Sequence, residues 1–292
     1  MKRRLAPFIG LLTCLIFSCS DNSAYRSEID KWRVDHEADL RKEDGWLGLA
    51  GLFWLKDGVN TIGPGARFDV SLTGNFKENK FGEIDFHDGK ATLKVALGVD
   101  ATADGKPVTA IGLASDDPGP ATTIKTGGQT FYLIKREDRY GIRLKDAESP
   151  ARKNFAGEHW FPVDEKYRVT AAFEPFENPE EIEIPNVLGG TFKMKSPGVV
   201  RFKLNGMDLS LQAVEENEKE LFFIFKDSTS KNETYQAGRF LYTDRPVNGQ
   251  VVLDFNKAEN PPCAFTEFAT CPLPPPQNVL NFEIKAGELK TH

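Results

Sequence analysis

The chain has 292 residues, with 37 Lys and Arg against 43 Asp and Glu, a formal net charge of −6, and cations that are scattered rather than clustered. Binding to a phosphate backbone calls for a basic footprint, so nucleic acid is excluded as an expected partner. The 22 Phe supply enough bulky apolar surface to fill one large or two modest cores, and a folded, soluble body is expected.

The N-terminus begins with Lys2, Arg3 and Arg4, continues with a mostly apolar run from Leu5 to Phe17, and ends at Ile16-Phe17-Ser18-Cys19. That is the layout of an export signal, with an apolar run too short to remain as a permanent span. Residues 16–19 resemble the lipobox at which bacterial lipoproteins are cut before the new terminal Cys is acylated. The resemblance implies a signal peptide over residues 1–18, lipidation at Cys19 and a lipid-anchored body. Ser20 resembles the outer-membrane sorting pattern, which leaves the periplasmic and surface faces both open.

Within residues 19–44, Tyr25, Ile29, Trp32, His36 and Leu40 fall on one face of a 3.6-residue period, which predicts an amphipathic helix over Ser23 to Lys42. His36 on that stripe reads as a packed residue rather than a ligand. From Trp46 onward short runs of Val, Ile, Phe and Thr alternate with turn formers about every ten residues, the rhythm of all-β sandwiches and barrels. Strands are predicted at Arg67 to Leu72, Glu83 to Phe86, Ala91 to Val95, Thr130 to Lys135 and Gly141 to Lys145. Further strands are predicted at Arg168 to Phe173, Glu181 to Ile184, Val199 to Leu204, Asp208 to Val214, Leu221 to Phe225, Arg239 to Tyr242, Val251 to Phe255 and Leu280 to Ile284. Asn205-Gly206 is a two-residue hairpin signal. Turn formers gathered at 115–128 suggest a boundary, with one β unit over 45–120 and a second over 121–292, packed as one body or two.

The turns at Asp57 to Gly63 and Asp104 to Val108 resemble those of a forkhead-associated sandwich. Pro64 stands where that family usually has Arg, and no Ser-x-x-His follows, so the resemblance carries fold and not phosphopeptide binding. A closer resemblance rests on Gly51 to Leu55, Arg143 to Asp146, Phe225 to Thr229, Thr234-Tyr235, Gly238 to Leu241 and the run Asp254 to Asn278. In these the chain resembles the bacterial family catalogued as domain of unknown function 1684. That resemblance implies a β-rich protein and candidate positions, with no mechanism.

The candidate ligand-binding residues are Asp227, Thr229, Tyr235, Arg239, Asp254, Asn256, Asn260 and Asn278, polar groups at strand ends beneath a Cys- and Pro-rich loop at 261–278. Asp254 and Asn256 alternate with Phe255, which on a strand sends both to one face. Buried polar groups must be hydrogen-bonded or hold something, so a small polar or anionic ligand and an internal network of Arg239 with Asp227 or Asp254 both fit. A hydrolase or transferase with Asp227 or Asp254 as base and Arg239 steadying an anion is a second reading. A structural part in an envelope assembly is a third. Cys263 and Cys271, separated by seven residues, are expected to form a disulfide in an exported chain, contributing about 2 to 3 kcal/mol; a metal or reactive-thiol site stays open beside it. No zinc-type spacing, glycine-rich phosphate loop or Gly-x-Ser-x-Gly elbow occurs, so neither a metal nor an organic cofactor is indicated. Glu158-His159-Trp160 reads more readily as a strand-entry plug than as an acid–base pair.

Overall fold

In the computed structural model, residues 20–73 and 80–291 are described; the signal segment and Cys19 lie outside them. The first element is the helix α1, Ser20–Leu40. Its predicted stripe is the face that docks: Tyr25, Ile29 and Leu40 are buried, and Trp32 and His36 are half-buried. Among the described residues no helix is long and apolar enough to cross a membrane.

Eleven strands follow: β1 Leu49–Trp54, β2 Gly58–Pro64, β3 Val70–Leu72, β4 Gly82–His87, β5 Lys90–Val95, β6 Thr102–Ala103, β7 Lys106–Pro107, β8 Ala110–Leu113, β9 Thr123–Thr126, β10 Gln129–Arg136 and β11 Arg139–Asp146. They form a five-stranded sheet, β3-β2-β4-β5-β8, and a six-stranded sheet, β1-β11-β10-β9-β6-β7. The two share one core, in which Ile62, Ile84 and Leu93 from the first sheet meet Ile124, Phe131 and Ile142 from the second. The expected division at residue 120 is therefore corrected. The turns at 115–128 are a connection inside this unit, because β9 to β11 carry the inward-facing residues that close its core. The chain leaves the unit after β11, through the short helix α2 Pro150–Lys153.

The second unit is built from β12 Arg168–Pro185, β13 Thr191–Leu204, β14 Met207–Ala213, β15 Glu220–Phe225, β16 Arg239–Asp244 and β17 Gln250–Asp254. β14-β13-β12-β17 form one sheet and β15-β16 pair separately. Phe202, Leu211, Phe223, Phe225, Leu253 and Phe255 fill the space between them. The two strands predicted at Arg168 to Phe173 and Glu181 to Ile184 are one strand, whose pairing with β13 slips between Pro175 and Glu180. A proline cannot donate to a ladder, so a sequence reading breaks the strand where the structure inserts a bulge. Asn205 and Gly206 both have positive φ in the hairpin between β13 and β14, as predicted. Leu280 to Ile284, predicted as a strand, is irregular: Leu280 and Phe282 bond the backbone of Lys226 and Ser228, and Ile284 is bonded by side chains described below. The fold is all-β after one N-terminal helix, with a seam between the units where Leu49 packs with Phe222, Phe240, Ala269 and Cys271.

Ile29 is 0 % exposed whereas Val34 on the same helix is 68 % exposed. Ile29→Ala is expected to cost about 2 to 5 kcal/mol and Val34→Ala less than about 0.5, measured by urea unfolding. Equal effects would mean that α1 is not docked.

Candidate functional site

The residues singled out in the sequence fall into separate internal networks rather than one pocket. Arg239 and Asp227, with side chains 1 % exposed, pair at 3.3 Å. Arg239 also donates to the carbonyls of Ala286 and Ile284, while Asp227 accepts from the Ile284 amide at 2.6 Å and the Thr229 hydroxyl at 2.7 Å. These bonds continue, at Ile284 and Ala286, the backbone bonds that join Leu280 to Lys226 and Phe282 to Ser228. Asp254 ends β17, and Asn256 lies in the following turn, where its amide nitrogen donates to Asp254 Oδ1 at 3.1 Å. Tyr25 of α1 donates to both Asp254 oxygens at 2.8 and 2.9 Å. Burial and the Asp254 charge push the phenol pKa up, so it remains a donor. Asn260 donates to Leu289 O, Asn278 to Gln212 O and Ile224 O, and Tyr235 to Cys263 O.

A second group, not found from the sequence, lies where α1 meets the C-terminal segment. His36 bridges Glu158 at 2.8 Å and Glu259 at 3.1 Å. Burial works to lower its pKa, but the bonds to both carboxylates outweigh that and hold it up at about 10. Glu288 is 0 % exposed and accepts from the Asn260 amide at 2.6 Å. Burial, then the charge of Glu158, raises its pKa to about 8. Glu158 thus belongs with His36, from which 122 positions separate it, rather than with its neighbour His159. Trp160 is half-buried and stands edge-on to Trp32 at 5.6 Å with the Arg33 guanidinium over its ring, so it packs on α1 rather than plugging a strand entry.

Beneath the loop 261–278 the seam opens into a cleft of about 500 Å³. On β11 the alternation that sends Ile142 and Leu144 into the first core turns Arg143 to the opposite face. The loop then covers it. Arg143 is 4 % exposed, donates to Thr270 Oγ1 at 3.0 Å, and has a buried Nε with no partner. No carboxylate among the described residues pairs with it. Arg136, from the end of β10, donates to the same Thr270 oxygen at 3.0 Å. Phe222, Phe240 and Met194 make an apolar wall, and Cys271 lies at the rim. A larger cleft of about 830 Å³ between α1 and β16–β17 has two of its cations committed, Lys257 to Glu28 and Arg245 to Glu215, while Arg168 stacks over the Tyr25 ring at 5.2 Å.

Cys263 and Cys271, expected as a disulfide, are both free thiols, with the Cys263 amide donating to Cys271 Sγ at 3.1 Å. The hydrogen bond from the Cys271 thiol lowers the pKa of Cys263 despite burial. Among the described residues no group of three His, Cys, Asp or Glu is placed to hold a metal ion.

Sequence reasoning misses Arg143 as a site residue, although it opens one of the motifs, Arg143 to Asp146, that carry the resemblance. The available signal is an Arg between two core-facing residues, Ile142 and Leu144, and hence on the other face of a strand. The sequence shows His36 only as a packing residue, because its carboxylate partners Glu158 and Glu259 lie far along the chain.

Residues 153–289 match the model of a family described as a protein of unknown function, DUF1684. Among solved structures, an uncharacterized protein of Haloarcula marismortui, determined by solution NMR, is 31% identical over 47% of this chain and 78% of its own, with a TM-score of 0.40. No curated protein matches the chain significantly.

The buried acid sets a pH dependence. Glu288 ionises near 4.5 in the unfolded chain and near 8 in the folded one, so its contribution is full below about 4.5 and is lost as pH rises to about 8. His36, held up at about 10 against 6.5, adds a loss of the same sign at higher pH. Urea midpoints at pH 5, 6.5 and 8 are expected to fall with pH in the parent and less steeply in Glu288→Gln. Parallel profiles would count against a protonated Glu288.

Proposed function

Since the chain belongs, through residues 153–289, to the DUF1684 family of proteins of unknown function, and inherits no activity from it, we propose from its own geometry that it binds a small anionic ligand in the cleft beneath the 261–278 loop. The observation that carries this reading is Arg143, buried to 4 % exposure with no carboxylate partner and an unbonded Nε. Leaving a guanidinium desolvated and unpaired costs several kcal/mol, and an anion in the cleft offsets that cost. A guanidinium also suits carboxylate and phosphate geometry. Thr270 fixes Arg136 and Arg143 together from the loop, so the loop contributes directly to the cleft's polar end.

The site thus moves from the polar residues read in the sequence to residues beside them. Asp227 bonds both Thr229 and Arg239, and Asp227 and Arg239 bond the C-terminal backbone, so this network is internal support. The hydrolase reading loses its expected bases, because neither Asp227 nor Asp254 lines the Arg143 cleft. We keep the lipid-anchored, cell-envelope placement as part of the proposal. It is supported by the basic residues 2–4, the apolar run to Phe17 and the lipobox-like Ile16 to Cys19.

Arg143→Met keeps the side-chain volume and removes the charge. Calorimetry with acetate, phenylacetate and inorganic phosphate is expected to show saturable binding of at least one anion to the parent and a loss of at least about ten-fold in the variant. Its melting temperature is expected to hold or rise, since replacing a buried unpaired charge with an apolar group is neutral or stabilising. Unfolding of this variant, or unchanged binding, would show that Arg143 is structural. For the anchor, Cys19→Ser is expected to release the protein from the membrane fraction and to remove an acyl-sized mass increment; an unchanged distribution would count against lipidation.

A further inference from the structure

We infer that the ligand is a monoanion carrying an apolar body, a carboxylic acid on a planar ring or a short acyl chain; this rests on the anion-binding reading above. The charge balance of the cleft sets the head. Arg136 is already neutralised, with its two Nη atoms on the two oxygens of Asp116 at 3.0 and 2.9 Å. Lys193 is exposed and pairs with Glu181 at 3.3 Å. Lys135, half-buried, also lines the cleft and lies over the Tyr140 ring at 5.9 Å, which leaves Arg143 as the one fully buried cation there without a carboxylate partner. Asp117, Glu137, Glu216 and Glu259 also line the cleft. Glu259 is committed to His36 and Glu216 accepts from the Tyr242 hydroxyl at 3.0 Å, but both remain negative neighbours. A single negative charge is matched by Arg143, whereas a second would face these carboxylates across a partly desolvated space.

The wall sets the body. Phe222 stacks on Tyr242 with ring centroids 4.6 Å apart and planes at 7°, and meets Phe240 edge-on at 4.9 Å. Met194, unbranched and adaptable, faces the same space. Trp46, 37 % exposed, stands at the cleft with the Arg143 guanidinium 5.9 Å from its ring. Small-molecule sites have this build: mostly apolar walls with a few convergent polar groups. The cleft's roughly 500 Å³ holds a ring or an acyl chain of moderate length, and is far larger than an inorganic anion needs.

The test is calorimetry on the full chain with acetate, phenylacetate, octanoate, octanamide and inorganic phosphate. Phenylacetate or octanoate is expected to bind at least about ten-fold more tightly than acetate, and octanoate at least about ten-fold more tightly than octanamide. Arg143→Met is expected to abolish the preference of octanoate over octanamide. Met194→Gln, at a half-buried position, is expected to weaken octanoate and leave acetate unchanged. Acetate equal to octanoate, or phosphate tighter than every carboxylate, would overturn the inference while leaving the anion-binding reading in place. Saturable binding by none of the five would remove both.

Discussion

The structure depends most on the enclosure of one guanidinium, that of Arg239. A fully buried ion pair is expensive, and its mutual attraction offsets the desolvation only if the remaining donors and acceptors are filled. Here they are filled by backbone: the carbonyls of Ile284 and Ala286 on the cation and the Ile284 amide on Asp227. The pair thereby folds a C-terminal segment that has no strand of its own against β16. That placement carries on to Glu288, which bonds the Asn260 amide, and so to the start of the loop that covers Arg143. Among the described residues two arginines are buried, under opposite conditions. Arg239 is completed by the protein, whereas Arg143 bonds Thr270 and keeps an unbonded Nε.

The loop is the mechanical link between these conditions. Its start is held by Asn260, its end by Asn278, which bonds Gln212 O and Ile224 O. Between these anchors Leu273 donates to Pro185 O and Val187 to Cys271 O, tying it to the far end of the β12–β13 hairpin. Thr270 is thus presented from a segment fixed at three places. That fixity lets one hydroxyl orient two guanidinium groups without the loop collapsing into the cleft.

Much of this fold is written locally. The α1 stripe, the hairpin at Asn205-Gly206 and most strands follow from periodicities of 3.6 and 2 and from residues that tolerate positive φ. What periodicity does not carry is pairing at long range. Leu280 to Ile284 has the composition of a strand, yet its backbone partners are divided between the Lys226 and Ser228 backbone and the side chains of Asp227 and Arg239. The unit boundary was misplaced because turn residues mark a reversal of the chain, not the edge of a core. The polar cluster at 227–260 was legible as buried, but burial alone does not distinguish a network that closes on itself from one that waits for a ligand. Only counting each donor against its partner separates Arg239 from Arg143, and that count needs coordinates.

The bulged arm of β12 has a further consequence for how copies of this chain behave together. Past Ala172, where β17 stops, one border of β12 has no strand beside it among the described residues. That border passes through Pro175 and Pro179 and then Glu180, Glu181 and Glu183. A strand arriving from another molecule meets missing hydrogen-bond donors, a kinked register and a row of like charges. The arm therefore guards its own flank against sheet extension by another copy.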